Sequence, residues 1–425
     1  MLAIYKFLSV LLLPFLPFLL KKRVKKGKED PTRYTEKLGK DYKPFNNEGK
    51  KVIWFFAASV GESLSVLPLI NKLCEDGCKV VLSTGTLTSA NLLGQKLPQG
   101  AVHVFNPVDN PVIIKRFLNH FKPDTFVLVE EEFWPNLVQM ATKYCKKSYF
   151  LNAKFSEKSA AKWLKYKKVF IFLLKCFDKN IMASSTATEK MLESIGVACQ
   201  PITSLKYYTI NSFQPQNPVL NVAEGVNLDA KNTILALSTH AGEEDIVLSA
   251  FVQARKKLAK TFLFLMPRHP HRLADVIASV KKTGLKYALM SANDVIDEET
   301  AILIADKLGL VANFLLISKV VFVAGSLVDG IGGHNILEPA CFGKPTITGP
   351  YNENFENIVS NMVNDGAIVK LKPASPEQMS DELSMKFVTI FQNTTLYKEL
   401  GKNAKNHVDK RMQDLNKICN QINSH

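Results

Sequence analysis

Short apolar runs alternate along most of the chain with longer stretches whose apolar positions recur every three or four residues. The runs predict strands at residues 52–57, 79–83, 102–105, 125–129, 148–151 and 180–183, and the stretches between them, such as 63–75 and 134–145, predict helices. A second set of strands follows at 233–237, 261–265, 301–304, 320–323 and 345–348, and residues 375–410 read as helices that close it. Strands alternating with helices argue for parallel, doubly wound sheets, so the expected fold is α/β with two Rossmann-like domains. From about Thr203 to Pro218 periodicity fades, and Asn, Gln, Ser and Pro accumulate as in a linker. The pattern divides the chain into an N-terminal hydrophobic anchor with a basic cluster (1–28), a first domain (29–205), a linker (206–218) and a second domain with closing C-terminal helices (219–425).

Ligands of such sheets bind at the carboxyl ends of the strands, and several of these ends are polar. Ala58-Ser59-Val60-Gly61-Glu62 follows the first strand, Thr84-Gly85-Thr86 the second, and Glu130-Glu131-Glu132 the fourth. Glu62 reads either as a favourable charge at a helix N-terminus or as a functional carboxylate. Three adjacent carboxylates are costly unless paired or used, so at least one of them is expected to face a cation or a polar ligand. In the second half, Ser238-Thr239-His240 and Pro267-Arg268-His269-Pro270 end two strands, and the Arg268 guanidinium suits a phosphate. The loop from Gly330 to Ala340 carries Gly332, Gly333, His334, Asn335 and Glu338. Asn335 reads as an N-cap with Glu338 closing a capping box, a helix start whose free N–H groups suit a phosphate. The plainer reading is a turn and a capped helix with no ligand. His240, His269, His271 and His334 lack the short helical spacing of a metal-ligand pair and read as hydrogen-bonding residues.

The N-terminus departs from this globular pattern. Residues 2–20 are apolar apart from Lys6 and Ser9, and Lys21, Lys22, Arg23, Lys25, Lys26 and Lys28 follow at once. A cleavable signal has its charge before the apolar run, so this order fits an uncleaved anchor, and Pro14 and Pro17 favour shallow insertion over a full span. The basic cluster predicts a cytoplasmic location for the following chain and attraction to anionic lipid. Residues 162–175, mixing Lys with Trp163 and Tyr166, read either as an interfacial helix or as a crossover helix with a basic face. The net charge of +15 points to an acidic partner. Carboxylates at strand ends repel phosphate backbones, and no aromatic RNA-binding signature is present, so nucleic acid is not expected. The seven cysteines are scattered without CxxC spacing, which argues for a reducing compartment and against structural zinc.

Six ordered motifs resemble one family: residues 57–62, 130–137, 204–206, 238–240, 267–270 and 332–340 are similar to those of the 3-deoxy-D-manno-octulosonic acid (Kdo) transferases. The resemblance runs over nearly the whole chain, anchor included. It implies a membrane-associated glycosyltransferase of the two-domain B type, its domains facing across a cleft, with the acceptor held by the first and the nucleotide-sugar by the second. Its reaction moves Kdo from CMP-Kdo to a lipid A precursor (lipid IVA) in lipopolysaccharide inner-core synthesis, on the cytoplasmic face of the bacterial inner membrane. Glu62 then matches the general base of an inverting displacement, and Glu130 and Lys206 match transition-state stabilisers. Pro267, Arg268, Leu308, Gly309, Leu310, Asn335, Ile336, Leu337 and Glu338 match the CMP site. Leu308-Gly309-Leu310 stands where the family usually has Met-Gly-Glu, so a backbone contact must serve there. Glu131 stands for a threonine, and Ser204 for a glycine. Because CMP leaves with one phosphate, Arg268, Lys206 and helix N–H groups suffice to neutralise it, and no metal or other cofactor is expected. Two other classes fit parts of the pattern: a nucleotide-sugar epimerase of the same fold, which needs no anchor, and a basic membrane- or nucleic-acid-binding protein without activity.

Overall fold

The structure, a computed structural model, describes residues 1–94, 96–212, 218–258 and 260–424. It divides into two compact units, one formed by residues 1–211 with 413–425 and the other by 212–412. The expected linker, 206–218, lies in part outside the described residues. Its first part is a 3-10 helix, Leu205–Ser212.

The first unit is built on a parallel sheet of β1 (Val52–Phe56), β2 (Lys79–Thr84), β3 (Ala101–Phe105), β4 (Thr125–Val129), β5 (Lys147–Ala153), β6 (Ile181–Ala183) and β7 (Gln200–Pro201), in the order β3-β2-β1-β4-β5-β6-β7. Every residue of β1 and β4 is buried, as continuous apolar runs must be in a sheet covered on both faces. Trp54, Phe117, Phe126, Phe150, Phe170 and Phe177 fill one side of it. Burying each such ring contributes about 1.5–3 kcal/mol. The order reverses between β1 and β4, which places the switch point at the carboxyl ends that lead to Glu62 and Glu130.

The second unit repeats the plan with β8 (Asn232–Thr239), β9 (Thr261–Pro267), β10 (Tyr287–Leu289), β11 (Ile302–Ile304), β12 (Val320–Val323), β13 (Thr346–Thr348) and β14 (Val369–Lys370), in the order β10-β11-β9-β8-β12-β13-β14. All pairings are again parallel. Here the switch point lies between β8 and β12, so His240 and the segment that begins at Ala324 flank it.

Three expectations are corrected. The C-terminal helix Asp414–Asn423, placed with the second domain by sequence order, packs on the first. Lys51 Nζ donates to the carbonyls of Ile422, Asn423 and Ser424 at 3.0–3.1 Å, and the Tyr149 hydroxyl donates to Gln421 O. The helix expected over 162–175 breaks at Tyr166 into Glu157–Lys165 and Lys167–Lys175. The Trp163 ring stacks on Phe170 at 5.1 Å, so the pair is a crossover between β5 and β6 with a basic outer face. The third concerns the glycine loop, where the helix is only Leu337–Cys341 and Ile336, not Asn335, stands at its cap.

The N-terminal segment forms helices Leu2–Leu11 and Leu16–Lys25 with a 3-10 turn, Leu13–Phe15, that holds Pro14, and the chain bends by 43° between Leu2–Leu11 and Leu13–Lys25. Among the described residues no single helix is long and apolar enough to cross a membrane, whereas this bent pair passes that test together. The first helix lies on the first unit through polar groups. The Tyr5 hydroxyl donates to Asp109 Oδ2 (2.8 Å), Asn110 Nδ2 to Ser9 O (2.6 Å) and Asn136 Nδ2 to Ser9 Oγ (3.1 Å). Ile4, Phe7, Leu11, Phe15 and Phe18 remain exposed. One apolar side of an otherwise anchored helix is therefore left facing outward.

Candidate functional site

In the first unit, β1 runs into a turn that is capped by Ser59, whose hydroxyl accepts from the N–H of Glu62 at 3.2 Å. The helix Val60–Glu75 thus starts three residues before the expected position, and Glu62 lies in its first turn. The Glu62 carboxylate turns back over the strand end. Its Oε2 accepts from Ala58 N and its Oε1 from the Ser59 hydroxyl, both at 2.7 Å. Geometrically this is a reciprocal cap, so the plainer reading of Glu62 holds. It is incomplete, however, because an ordinary exposed cap keeps an ordinary carboxyl pKa. Burial pushes Glu62 up to about 7, against the two hydrogen bonds, with the charges of Glu130 and Glu132 adding to the rise.

Glu130 follows β4 in a left-handed conformation (φ 57°) that turns its side chain out of the strand. Asn152, at the end of β5 and also left-handed (φ 59°), donates from Nδ2 to Glu130 Oε1 at 3.1 Å. The Asn152 Oδ1 accepts from Leu205 N at 3.2 Å. One amide therefore ties the Glu130 carboxylate to the turn that carries Lys206. Burial raises the Glu130 pKa, and the positive charges of Lys206 and Lys154 oppose the rise. The Lys206 ammonium is pushed down by burial and by Lys154, and is held up by Glu130. The expectation that one of the three carboxylates meets a cation is met at Glu130. Glu132 accepts from Trp134 Nε1 (2.9 Å), and Glu131 keeps a buried oxygen with no partner among the described residues. Glu62, Glu130 and Lys206, taken from three separate stretches of sequence, share one electrostatic environment.

The second unit gathers its own polar strand ends. Arg268 is exposed beyond β9, and its backbone N–H bonds Thr239 O, which holds the two strand ends together. Its charge reaches His240, His334 and Glu338. Asn335 Oδ1 accepts from Leu337 N (3.2 Å), and its Nδ2 donates to Glu338 Oε1 (3.1 Å). Asn335 thus caps from one position further out than the sequence suggested, and Glu338 is largely buried with its pKa raised by that burial. Leu308-Gly309-Leu310 forms the turn between β11 and the helix Val311–Ile317, with Gly309 at φ 83° and the Leu308 side chain 71% exposed. Pro267 ends β9. All nine residues assigned to a nucleotide therefore lie at or beyond the carboxyl ends of β9, β11 and β12, with Pro267 as the last residue of β9 and Leu337 and Glu338 in the short helix after the glycine loop.

Sequence reasoning missed the residue that organises this end. Glu243 is fully buried, and its carboxylate accepts from the backbone N–H of His240 (3.0 Å), Gly325 (2.8 Å), Ser326 (2.8 Å) and Leu327 (2.9 Å). It welds the loop after β8 to the loop after β12 across the switch point. The only sequence signal was a Glu after Gly242, which reads as a first-turn charge. Gly325 has φ 72°, and a Cβ there would lie 2.6 Å from the His334 ring, so both chain direction and space require glycine. Asn152 and Lys154 were missed as well, because neither stands in a motif. Among the described residues no group of three or more His, Cys, Asp or Glu side chains is placed to hold a metal ion.

Residues 32–209 match a family model described as 3-deoxy-D-manno-octulosonic-acid transferase. A 3-deoxy-D-manno-octulosonic acid transferase of Rickettsia bellii is 32% identical over 377 residues, which is 88% of this chain and 88% of that protein. Among solved structures, a glycosyltransferase from Rickettsia africae aligns with a TM-score of 0.55 at 14% identity, over 89% of this chain and all of that one. A putative UDP-N-acetylglucosamine 2-epimerase from Listeria monocytogenes aligns with a TM-score of 0.54 at 12% identity, over 88% of this chain and 98% of that one. The two structures support the same fold equally, so fold alone does not separate transferase from epimerase.

Proposed function

The chain belongs to the 3-deoxy-D-manno-octulosonic acid transferase family, and on that premise we propose that it moves Kdo from CMP-Kdo to lipid IVA, the lipid A precursor, with inversion and with Glu62 as general base. The observation that carries the residue assignment is the Glu62 carboxylate itself. It is held by two hydrogen bonds at the end of β1 and has its pKa raised to about 7 by burial. A carboxylate so poised accepts a proton from a sugar hydroxyl far better than one near its ordinary value of 4.5. The attacking hydroxyl oxygen forms the bond to the anomeric carbon as its proton passes to Glu62. The C–O bond to the CMP phosphate breaks on the opposite face, and its electron pair leaves with CMP. Glu130 and Lys206 oppose one another in charge beside this carboxylate and act on the charge that develops at the sugar.

The donor's nucleotide belongs with the second unit. Arg268 neutralises the phosphate, and the backbone around Gly309 and the N–H groups at the Leu337 turn approach it closely. Glu338 accepts from a ribose hydroxyl. No metal is required by this set, because a single phosphate is met by Arg268 and backbone donors. The test is transfer from CMP-Kdo to purified lipid IVA in detergent, with products resolved by mass. The expected result is mass added in whole Kdo units, at a rate unchanged by EDTA. No transfer by the folded protein would reject the reading, and loss of transfer in EDTA would reject the metal-free mechanism.

The site of action proposed is the cytoplasmic face of the bacterial inner membrane. The N-terminal helices support it with their exposed apolar face, and Lys21, Lys22, Lys25 and Lys26 are exposed beside it. Each lysine near an anionic surface contributes about 1 kcal/mol. Replacing these four by glutamine is therefore expected to weaken binding to anionic vesicles by roughly 100-fold or more. Arg23 stays in place, since it pairs with Glu29. Vesicle sedimentation checks this, and undiminished binding would leave the apolar face as the sole attachment.

A further inference from the structure

The imidazoles of His240 and His334 lie nearly parallel, 15° apart with centroids 4.9 Å apart, and their Nε2 atoms are 2.7 Å from each other. Two nitrogens at that distance need one proton between them, so one ring donates from Nε2 and the other accepts. The accepting ring carries its own proton on Nδ1. The donating ring, if neutral, has a bare lone pair on Nδ1. Neither Nδ1 has a hydrogen-bond partner among the described residues. The pair is fixed from both sides: Glu243 binds the backbone N–H of His240, and the His334 ring packs against Gly325.

The surroundings of the pair are cationic. The charges of Arg268, Arg272 and His269 act on His240, and those of Arg268 and His269 act on His334. Arg272 is paired with Glu244, and Glu338 faces Arg268. Glu243, the remaining acid, has its carboxylate committed to four backbone donors. A neutral histidine pair among these cations is set to accept one more proton only when an anion arrives to offset it.

Resting on the CMP-Kdo reading above, we propose that the His240–His334 pair takes up one solvent proton as the donor's phosphodiester binds, and holds that anion as a shared imidazolium. The proton goes to the bare Nδ1 of the donating ring, and no covalent bond changes. The N–H···N link becomes charge-assisted, and the positive charge spreads over both rings. In the free protein, burial first and then the neighbouring cations hold His334 down at about 4 and His240 below its ordinary value. The bound anion favours the charged form, so the pair's pKa in the complex lies above its free value. Proton uptake falls between those two values, and affinity declines as pH rises through the upper one.

The experiment is calorimetric titration of the full-length protein with the methyl phosphodiester of CMP, whose phosphate does not itself titrate near neutrality. Repeating it in buffers of different ionisation enthalpy gives the number of protons exchanged. The wild type is expected to take up a proton, most completely at about pH 5–6, and to bind less tightly as pH approaches about 8. His240→Gln and His334→Gln keep a hydrogen-bonding side chain but cannot carry the charge. Each is expected to bind without uptake and with a dissociation constant raised roughly tenfold. Binding by the wild type with no proton uptake overturns the proposal and leaves the transferase reading standing. Uptake that persists in both variants overturns it too. Absence of any binding by the folded wild type rejects the CMP-Kdo reading along with it. Where a variant fails to fold, absence of uptake by the wild type still overturns the proposal.

Discussion

Glu62→Gln is expected to lower the rate of transfer by about 10²–10⁴-fold while CMP binds as before. Glutamine is nearly isosteric, and its carbonyl oxygen can still accept from Ala58 N–H as the Glu62 carboxylate does. The helix start is therefore preserved, and the proton acceptor is lost. CMP binding is spared because the groups assigned to it lie in the second unit, whereas Glu62 lies in the first. In the wild type, kcat at saturating donor should rise as pH increases through about 7, where Glu62 ionises, and should level off above it. The same shift predicts a stability signature. A folded-state pKa raised above the unfolded value contributes stability that is complete below 4.5 and lost as pH rises through about 7. The neutral glutamine does not share that loss, so the variant should gain thermal stability relative to wild type as pH goes from about 5 to about 8. Steady-state rates and thermal unfolding across pH read both effects. A variant that keeps a tenth or more of wild-type turnover would remove Glu62 from the role of base.

The two sheets were legible because their central strands are buried on both faces. A run such as Phe126-Val127-Leu128-Val129 leaves little else for the chain to form. The edge strands β7, β10 and β14 are two or three residues long, too short to show a period, and they were not foreseen. The C-terminal helix shows a related limit. Its amphipathic pattern announces a buried face but does not name the partner, which is fixed by Lys51, Lys147 and Tyr149 more than 250 residues away in sequence.

The candidate site divides in the same way. Glu62, Glu130 and Arg268 stood out because polar residues directly after apolar runs occupy the binding edge of a parallel sheet. His240 and His334 read as hydrogen-bonding residues, and they bond to each other, whereas Asn152 and Glu243 did not stand out, since their meaning lies in contacts that the strand order creates. Asn152 reaches Glu130 only because β4 and β5 are neighbours, and Glu243 reaches Gly325 only because β8 lies beside β12. Sequence offered each as an ordinary residue at an ordinary place.

Glu243 carries the largest expected effect on stability. Its two carboxylate oxygens receive four backbone N–H groups in a fully buried position, so each oxygen has both lone pairs engaged. Burial pushes its pKa up, and the four backbone donors oppose that rise. Glu243→Gln replaces one oxygen with an NH2 group that faces two N–H donors. Those donors lose their acceptor and meet a like dipole, at a cost of about 3–5 kcal/mol. For a unit of this size the unfolding temperature should fall by roughly 6–20 °C. The loss is also functional, because the loops joined by Glu243 carry His240 and Gly325 and lead on to Asn335. CMP binding should weaken along with the unfolding transition of the second unit, and the transition of the first should stay in place. Glu243→Asp keeps the charge one methylene short and should fall between the two. Calorimetric scanning with and without CMP separates these outcomes. An unfolding temperature within about 2 °C of wild type, with CMP still bound, would mean that the two loops hold their shape without the carboxylate that joins them.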